Sequence, residues 1–143
     1  MKLKRILAFV LILALVLSMP TFAFATEDRA SDQIGRHNIK VASSSGQIIV
    51  TTMIFGMGLM NEIGCEKIYI YEKYGTGWLL VDWLVEGDDN TVTTNSAAHM
   101  ASYFFDCRDG VEYRISVTLF AENDEGRDTV SQTLYVTGNS SNN

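Results

Sequence analysis

Apolar side chains recur at every second residue through most of the chain after residue 37, and this period constrains the fold more than any other feature. In the clearest example, Val111 to Glu122, the odd-numbered positions from Tyr113 to Ala121 are all apolar. A period of two is typical of a β-strand with one buried face. No segment of ten or more residues after residue 25 has the i, i+3, i+4, i+7 spacing of an amphipathic helix. We therefore predict an all-β fold.

Seven segments have this strand pattern, at roughly ten-residue spacing: 38–43, 47–55, 66–73, 78–86, 91–105, 111–122 and 127–136. Such spacing is typical of an antiparallel β-sandwich or barrel. We predict a seven-stranded sandwich domain over residues 38–137, preceded by a flexible leader at 26–37 and followed by a disordered tail at 138–143. Gly75 and Gly77 mark a hairpin, because glycine supplies the positive φ that such turns need.

The first 25 residues have the three regions of a secretory signal peptide. The basic residues are Lys2, Lys4 and Arg5, and an apolar run covers 6–17. That run has twelve residues, whereas a membrane-spanning helix needs about 20. Small residues at Ala23 and Ala25 predict cleavage between Ala25 and Thr26. We therefore expect a secreted, extracellular protein with no membrane span after processing.

Removal of the signal peptide makes the chain more acidic. The full sequence has 11 basic and 17 acidic residues. The signal peptide takes three of the basic ones, which leaves 8 minus 17, a formal charge of −9. Nucleic-acid binding would require a basic surface, and an acidic protein is repelled by anionic membranes. We therefore predict no nucleic-acid partner.

Two cysteines, Cys65 and Cys107, could form a disulfide in an oxidising compartment. In a seven-stranded sandwich, however, the two would lie at opposite ends of the strands, whereas a disulfide needs Cα atoms within about 7 Å. Two free thiols that pack as small apolar side chains are the alternative. The oxidising compartment favours a disulfide, whereas the expected positions of the two cysteines oppose it, so the disulfide stays an open possibility.

Aromatic residues are concentrated in two predicted strands, 66–73 and 78–86. In the first, Ile68 and Ile70 occupy one face and leave Tyr69 and Tyr71 on the other. In the second, the side chains predicted to share one face are Leu79, Val81, Trp83 and Val85. The candidates for an exposed platform that binds sugars or peptides are Tyr69, Tyr71, Tyr74, Trp78 and Trp83. The alternative is cross-strand packing that only stabilises the sheet.

Residues 53–60 read MIFGMGLM, which is unusually rich in methionine and glycine. Methionine side chains adapt to irregular partners, so Met57 and Met60 are candidates for a contact surface. The alternative is that this stretch completes a strand and fills one end of the core, since a domain of this size needs most of its large apolar residues inside.

Residues 109–117 read DGVEYRISV, and residues 121–126 read AENDEG. A turn glycine, a tyrosine three residues later, alternating apolar residues and a closing asparagine and glycine resemble the end of a fibronectin type III domain, an immunoglobulin-like sandwich. The resemblance implies that Tyr113 forms a tyrosine corner, with its hydroxyl bonded to the backbone of the preceding turn. The chain also resembles small secreted proteins of Gram-positive bacteria of unknown function, through 68–73, Trp78 and 110–114, and this resemblance implies no activity.

The sequence contains no motif of a hydrolase, metalloprotease or nucleotide-binding protein. We predict no catalytic residue, cofactor or metal. The acidic turns 86–90 and 122–125 carry oxygen ligands that suit calcium, but the same residues are common in turns. Our leading interpretation is a secreted, non-catalytic binding module for an extracellular protein or carbohydrate. A secreted antimicrobial or toxin-like protein is the first alternative, and a small extracellular enzyme is the second.

Overall fold

The computed structural model of the protein describes residues 31–140. They form six β-strands: β1 (Ile34–Ser44), β2 (Gln47–Tyr74), β3 (Gly77–Val85), β4 (Val92–Asp106), β5 (Glu112–Asn123) and β6 (Gly126–Thr137). Every strand pairing is antiparallel, so the predicted all-β fold is confirmed. The signal peptide 1–25 and its cleavage after Ala25 lie outside the described residues. Residues 31–140 contain no apolar helix of membrane-spanning length.

Strand β2 belongs to both layers of the fold. Its first part, 47–55, lies between β1 and β4, and its last part, 67–72, lies between β3 and β5. The predicted strands 47–55 and 66–73 are therefore one continuous strand, which makes six strands rather than seven. Gly56 and Gly58 interrupt the alternation that would reveal this continuity, although the backbone stays extended through them.

The core lies between the two layers. Side chains with no exposed surface come from both parts of β2 and from β5, and include Ile48, Val50, Ile54, Ile63, Ile68, Ile70, Ile115, Val117 and Leu119. Because both parts of β2 contribute to one buried cluster, the sheet curls over itself and packs face to face, as in a sandwich.

One side of the sandwich is closed by contacts between β1 and β6. The amide of Gln33, just before β1, donates to Asp128 Oδ2 at 3.0 Å, and the amide of Asn139 donates to Ser43 Oγ at 2.8 Å. These contacts correct both predicted domain ends. Residues 34–37 belong to β1 rather than to the leader, and residues 138–140 are hydrogen-bonded rather than disordered. On the opposite side, β3 and β4 are the free edges, since each pairs only with β2.

Candidate functional site

A β-bulge in β2 determines which of its side chains face outward. The register against β5 shifts between Cys65 and Lys67, so the buried residues change from odd numbers, such as Cys65, to even numbers, such as Ile68 and Ile70. An extra residue in one strand reverses the faces beyond it. As a result Tyr69 and Tyr71 lie on the outer surface, as the alternation of 66–73 predicts.

A second bulge, at Val81, decides the faces of β3. Trp83 lies opposite Tyr69 on one side of the bulge, and Leu80 lies opposite Tyr71 on the other side. Leu79 lies opposite the buried Glu72 and therefore on the inner side. The prediction that Leu79, Val81, Trp83 and Val85 share one face is thus wrong, because strict alternation ignores the extra residue.

Together the outer residues of β3, β2, β5 and β6 form what we call the aromatic face, which consists of Tyr69, Tyr71, Lys73, Trp78, Leu80, Trp83, Arg114 and Tyr135. The Trp78 and Tyr135 ring centroids lie 5.7 Å apart, and those of Tyr69 and Tyr71 lie 6.4 Å apart at 70°. Such tilted and edge-on pairs stabilise aromatic clusters. The rings therefore hold one another in place across the sheet.

Much of the aromatic face is open to solvent. Trp83 is 60% exposed and Tyr135 is 61% exposed, whereas Trp78, Tyr69 and Tyr71 are half-buried. Large contiguous apolar surfaces on a small soluble domain mark interaction sites. Tyr74, the remaining member of the predicted platform, lies apart at the end of β2 beside the hairpin turn. The structure thus brings Tyr69, Tyr71, Trp78 and Trp83 together.

Arg114 and Tyr135 are members of this face that the sequence analysis did not single out. Both occupy outward positions: Arg114 lies opposite Tyr71 and Tyr135 lies opposite Arg114. The signal was available in the alternation of 111–122, which puts even-numbered residues outward. It could not show that three strands bring these two side chains beside Trp78.

The two methionines of the predicted contact surface differ in solvent exposure. Met57 is 69% exposed, but Met60 is 2% exposed and belongs to the core. The prediction for Met60 is therefore wrong. Its side chain lies over Gly56, where an added Cβ would come within 2.7 Å of Met60 Cγ. Because Gly56 has no side chain, there is space for the side chain of Met60. Only Met57 remains at the surface.

Cys65 and Cys107 are both free thiols in the structure. Cys65 is fully buried in β2, where its Sγ donates to the carbonyl oxygen of Thr118 at 3.7 Å. Cys107 follows β4, with its Sγ 3.5 Å from Ser43 Oγ. Burial raises the pKa of the Cys65 thiol to about 12, so this group is an unreactive core residue at neutral pH.

The buried Tyr113 side chain forms a hydrogen-bond network at one end of the sandwich. Its Oη accepts from the Arg108 amide at 2.9 Å, which is the geometry of a tyrosine corner. It also donates to Glu72 Oε2 at 3.2 Å, and the Arg108 guanidinium pairs with the same carboxylate. This network forms the floor of a cleft of about 400 Å³ between the free edges of β3 and β4.

We expect Tyr113→Phe to destabilise the domain by about 1–3 kcal/mol, because the Arg108 amide and the buried Glu72 each lose a hydrogen-bond partner. Urea unfolding of the purified domain measures this change. Tyr135→Phe is the matched control, since its hydroxyl is exposed, and its effect should stay within about 0.5 kcal/mol. Equal midpoints for the two variants would contradict the structural role of Tyr113.

His99 and the residues of the acidic turns form hydrogen bonds that stabilise the fold. His99 is buried, with Nδ1 2.9 Å from Thr93 Oγ1 and Nε2 3.3 Å from Tyr103 Oη, and burial lowers the pKa of its imidazole. In the acidic turns, Asp88 Oδ2 accepts from the Val85 amide and Asn123 Oδ1 accepts from the Gly126 amide, as expected of turn residues. No cluster of three or more His, Cys, Asp or Glu in residues 31–140 is placed to hold a metal ion.

Similarity of this chain to known proteins is low. No protein-family model matches it, and no curated protein matches it. A structure of murine CRIg is similar at 12% sequence identity and a TM-score of 0.36, over 72% of this chain and 96% of that chain. The architecture therefore rests on the strands and their register, and the resemblance to fibronectin type III domains stays a prediction.

Proposed function

We propose that this chain is a secreted, non-catalytic binding module that contacts an extracellular ligand through the aromatic face. The observation that carries the proposal is the exposure of Trp83 and Tyr135 beside half-buried rings on one outer surface. Secretion rests on the predicted signal peptide. Trp, Tyr and Arg are the residues in which binding energy concentrates at interfaces, and here all three types lie together.

The aromatic face is suited to binding because most of its rings are held before any ligand arrives. Tyr69, Tyr71, Trp78 and Tyr135 each contact a neighbouring ring or a stacked cation, and Trp83 lies beside them with 60% of its surface exposed. Rigid aromatic side chains lose little conformational entropy on binding, and such prior ordering increases affinity. None of the residues that define the face is acidic, and Glu112 lies at its end, beside Arg114 on β5. Acidic residues are depleted in the centres of interfaces.

The free edge of β3 is less suited to binding than the aromatic face is. Asp82 Oδ1 accepts from the Trp83 amide and Asp88 Oδ2 accepts from the Val85 amide, both at 2.8 Å. These amides are occupied by side-chain oxygens, and charged residues on an edge oppose pairing with another strand. A ligand is therefore expected to lie on the face rather than to extend the sheet.

Retention on extracellular material tests the proposal. We expect the protein to be retained on isolated cell wall or surface polysaccharide, and Trp83→Ala to weaken retention by about 30-fold, because an exposed tryptophan at a contact centre contributes about 2 kcal/mol. Phe104→Ala is the control, since Phe104 is 58% exposed on the other layer. Equal losses in both variants, or no retention of the native protein, would refute the proposal.

A further inference from the structure

The aromatic face contains two basic side chains that pair with no carboxylate in the described residues. Three of the other five basic side chains in residues 31–140 pair with carboxylates: Arg108 with Glu72, Lys67 with Glu66, and Arg127 with several glutamates. Arg114 and Lys73 instead lie over aromatic rings. Residues 31–140 hold 15 acidic and 7 basic side chains, so carboxylates are plentiful. Glu112 lies two residues before Arg114 on the same face of β5, yet no ion pair within residues 31–140 joins it to Arg114 or Lys73.

The geometry leaves the donors of both cations available. The Arg114 guanidinium carbon lies 4.4 Å from the Tyr71 ring centroid and 5.2 Å from that of Trp78. Lys73 Nζ lies 4.6 Å from the Trp78 centroid. Stacking uses the flat face of a guanidinium and leaves its N–H groups, which point out in the plane, to bind an acceptor. Two cations thus converge on Trp78 with unused hydrogen-bond donors.

We infer that the aromatic face binds an acidic polysaccharide, with sugar carboxylates paired to Arg114 and Lys73 and sugar rings stacked on the exposed aromatic side chains. This inference rests on the proposed function and names its ligand class. Guanidinium and carboxylate form paired, charge-assisted hydrogen bonds. The C–H face of a sugar ring contacts the negative face of an aromatic ring favourably.

The observations favour this polymer over two other anionic ligands. A uronic-acid unit presents an apolar C–H face and a carboxylate together, which matches stacked cations among exposed rings, whereas the acidic side chains of a polypeptide have the carboxylate without such a face. Extended peptides that add to a sheet use a free edge, and Asp82 and Asp88 occupy amides of the β3 edge. An anionic membrane surface likewise presents anions without an apolar ring face to stack on the exposed aromatic side chains.

Tryptophan fluorescence provides a direct readout, because the only two tryptophans of the sequence, Trp78 and Trp83, both lie on the aromatic face. The full processed protein is titrated with polygalacturonate, its methyl ester, poly-L-glutamate and phosphatidylglycerol vesicles. We expect a saturable change with polygalacturonate and at least about 10-fold weaker binding of the uncharged ester, because the ester lacks the anion.

Arg114→Gln should weaken polygalacturonate binding about 10- to 100-fold, the range for loss of a charged hydrogen bond. Arg36→Gln is the matched control, since Arg36 stacks on Phe55 at 4.6 Å on the other layer, and its binding should match the native protein. Lys73→Gln provides a second variant should Arg114→Gln fail to fold, and Arg114→Lys should recover part of the affinity.

Several outcomes would overturn the inference. Equal binding of the ester and the acid would show that the sugar carboxylate does not contribute to binding, and the proposed function would not be affected. A stronger response to poly-L-glutamate or to vesicles would assign a different ligand class to the face. Equal effects of Arg114→Gln and Arg36→Gln, or no response to any of the four probes, would also refute it. The retention of Trp83→Ala on cell wall would then decide the proposed function separately.

Discussion

Replacement of Gly64 by alanine is expected to destabilise the domain by about 3 kcal/mol or more, and replacement by valine is expected to prevent folding. Gly64 lies in β2 between Val92 of β4 and Phe120 of β5. An added Cβ would lie 2.0 Å from the carbonyl oxygen of Thr91, which accepts a hydrogen bond from the Cys65 amide at 2.7 Å. The substitution forces backbone apart in the core and breaks that bond.

Urea unfolding followed by circular dichroism measures this effect. Gly58→Ala is the matched control, because it also lies in β2 and an added Cβ there would have no atom within 4 Å. Its effect should stay within about 0.5 kcal/mol. Unfolding midpoints that coincide for Gly64→Ala and Gly58→Ala would contradict the close approach of β2 to Thr91.

Alkaline pH should destabilise the protein through Cys65. Its pKa rises from 9.0 to about 12 on folding because burial disfavours the thiolate. Between these values the folded state binds more protons than the unfolded state, so the stability present below pH 9 falls as pH rises. The loss from this one group should reach about 1.4 kcal/mol between pH 8 and pH 10. Burial also raises the pKa of Tyr103, which adds to the loss at higher pH.

The free energy of unfolding, measured in urea at pH 8 and pH 10 under reducing conditions, tests this expectation. Cys65→Ala should be less stable at pH 8, because it leaves a small cavity, but should lose less stability between the two pH values. Cys107→Ala controls for the loss of a thiol, since that residue is only half-buried. A Cys65→Ala variant with the same pH dependence as the native protein would show that this thiol does not titrate between states.

Several parts of the candidate site could be predicted from local pattern. Tyr69 and Tyr71 face outward because Ile68 and Ile70 alternate with them, and a strand places successive side chains on opposite faces. The hairpin before β3 follows from Gly75, which has a φ of 58°. These properties depend on neighbours one or two residues away, so they are visible in the sequence.

Two of the errors arose where the structure departs from strict alternation. The bulge at Val81 divides the outer residues of β3, and it exists only in the register against β2. Met60 is buried because Gly56 leaves space for its side chain, although the composition of the segment 53–60 suggested a contact surface. Neither effect is encoded in the order of apolar and polar residues.

The sequence by itself determined the all-β class, the acidic charge and the outward position of the two tyrosines, because these depend on composition and on the two-residue period of a strand. Only the tertiary structure decided that β2 is continuous, that both cysteines are free, and that Arg114 and Lys73 converge on Trp78. These features join residues from different strands, and their positions follow from register, bulges and the curl of the sheet.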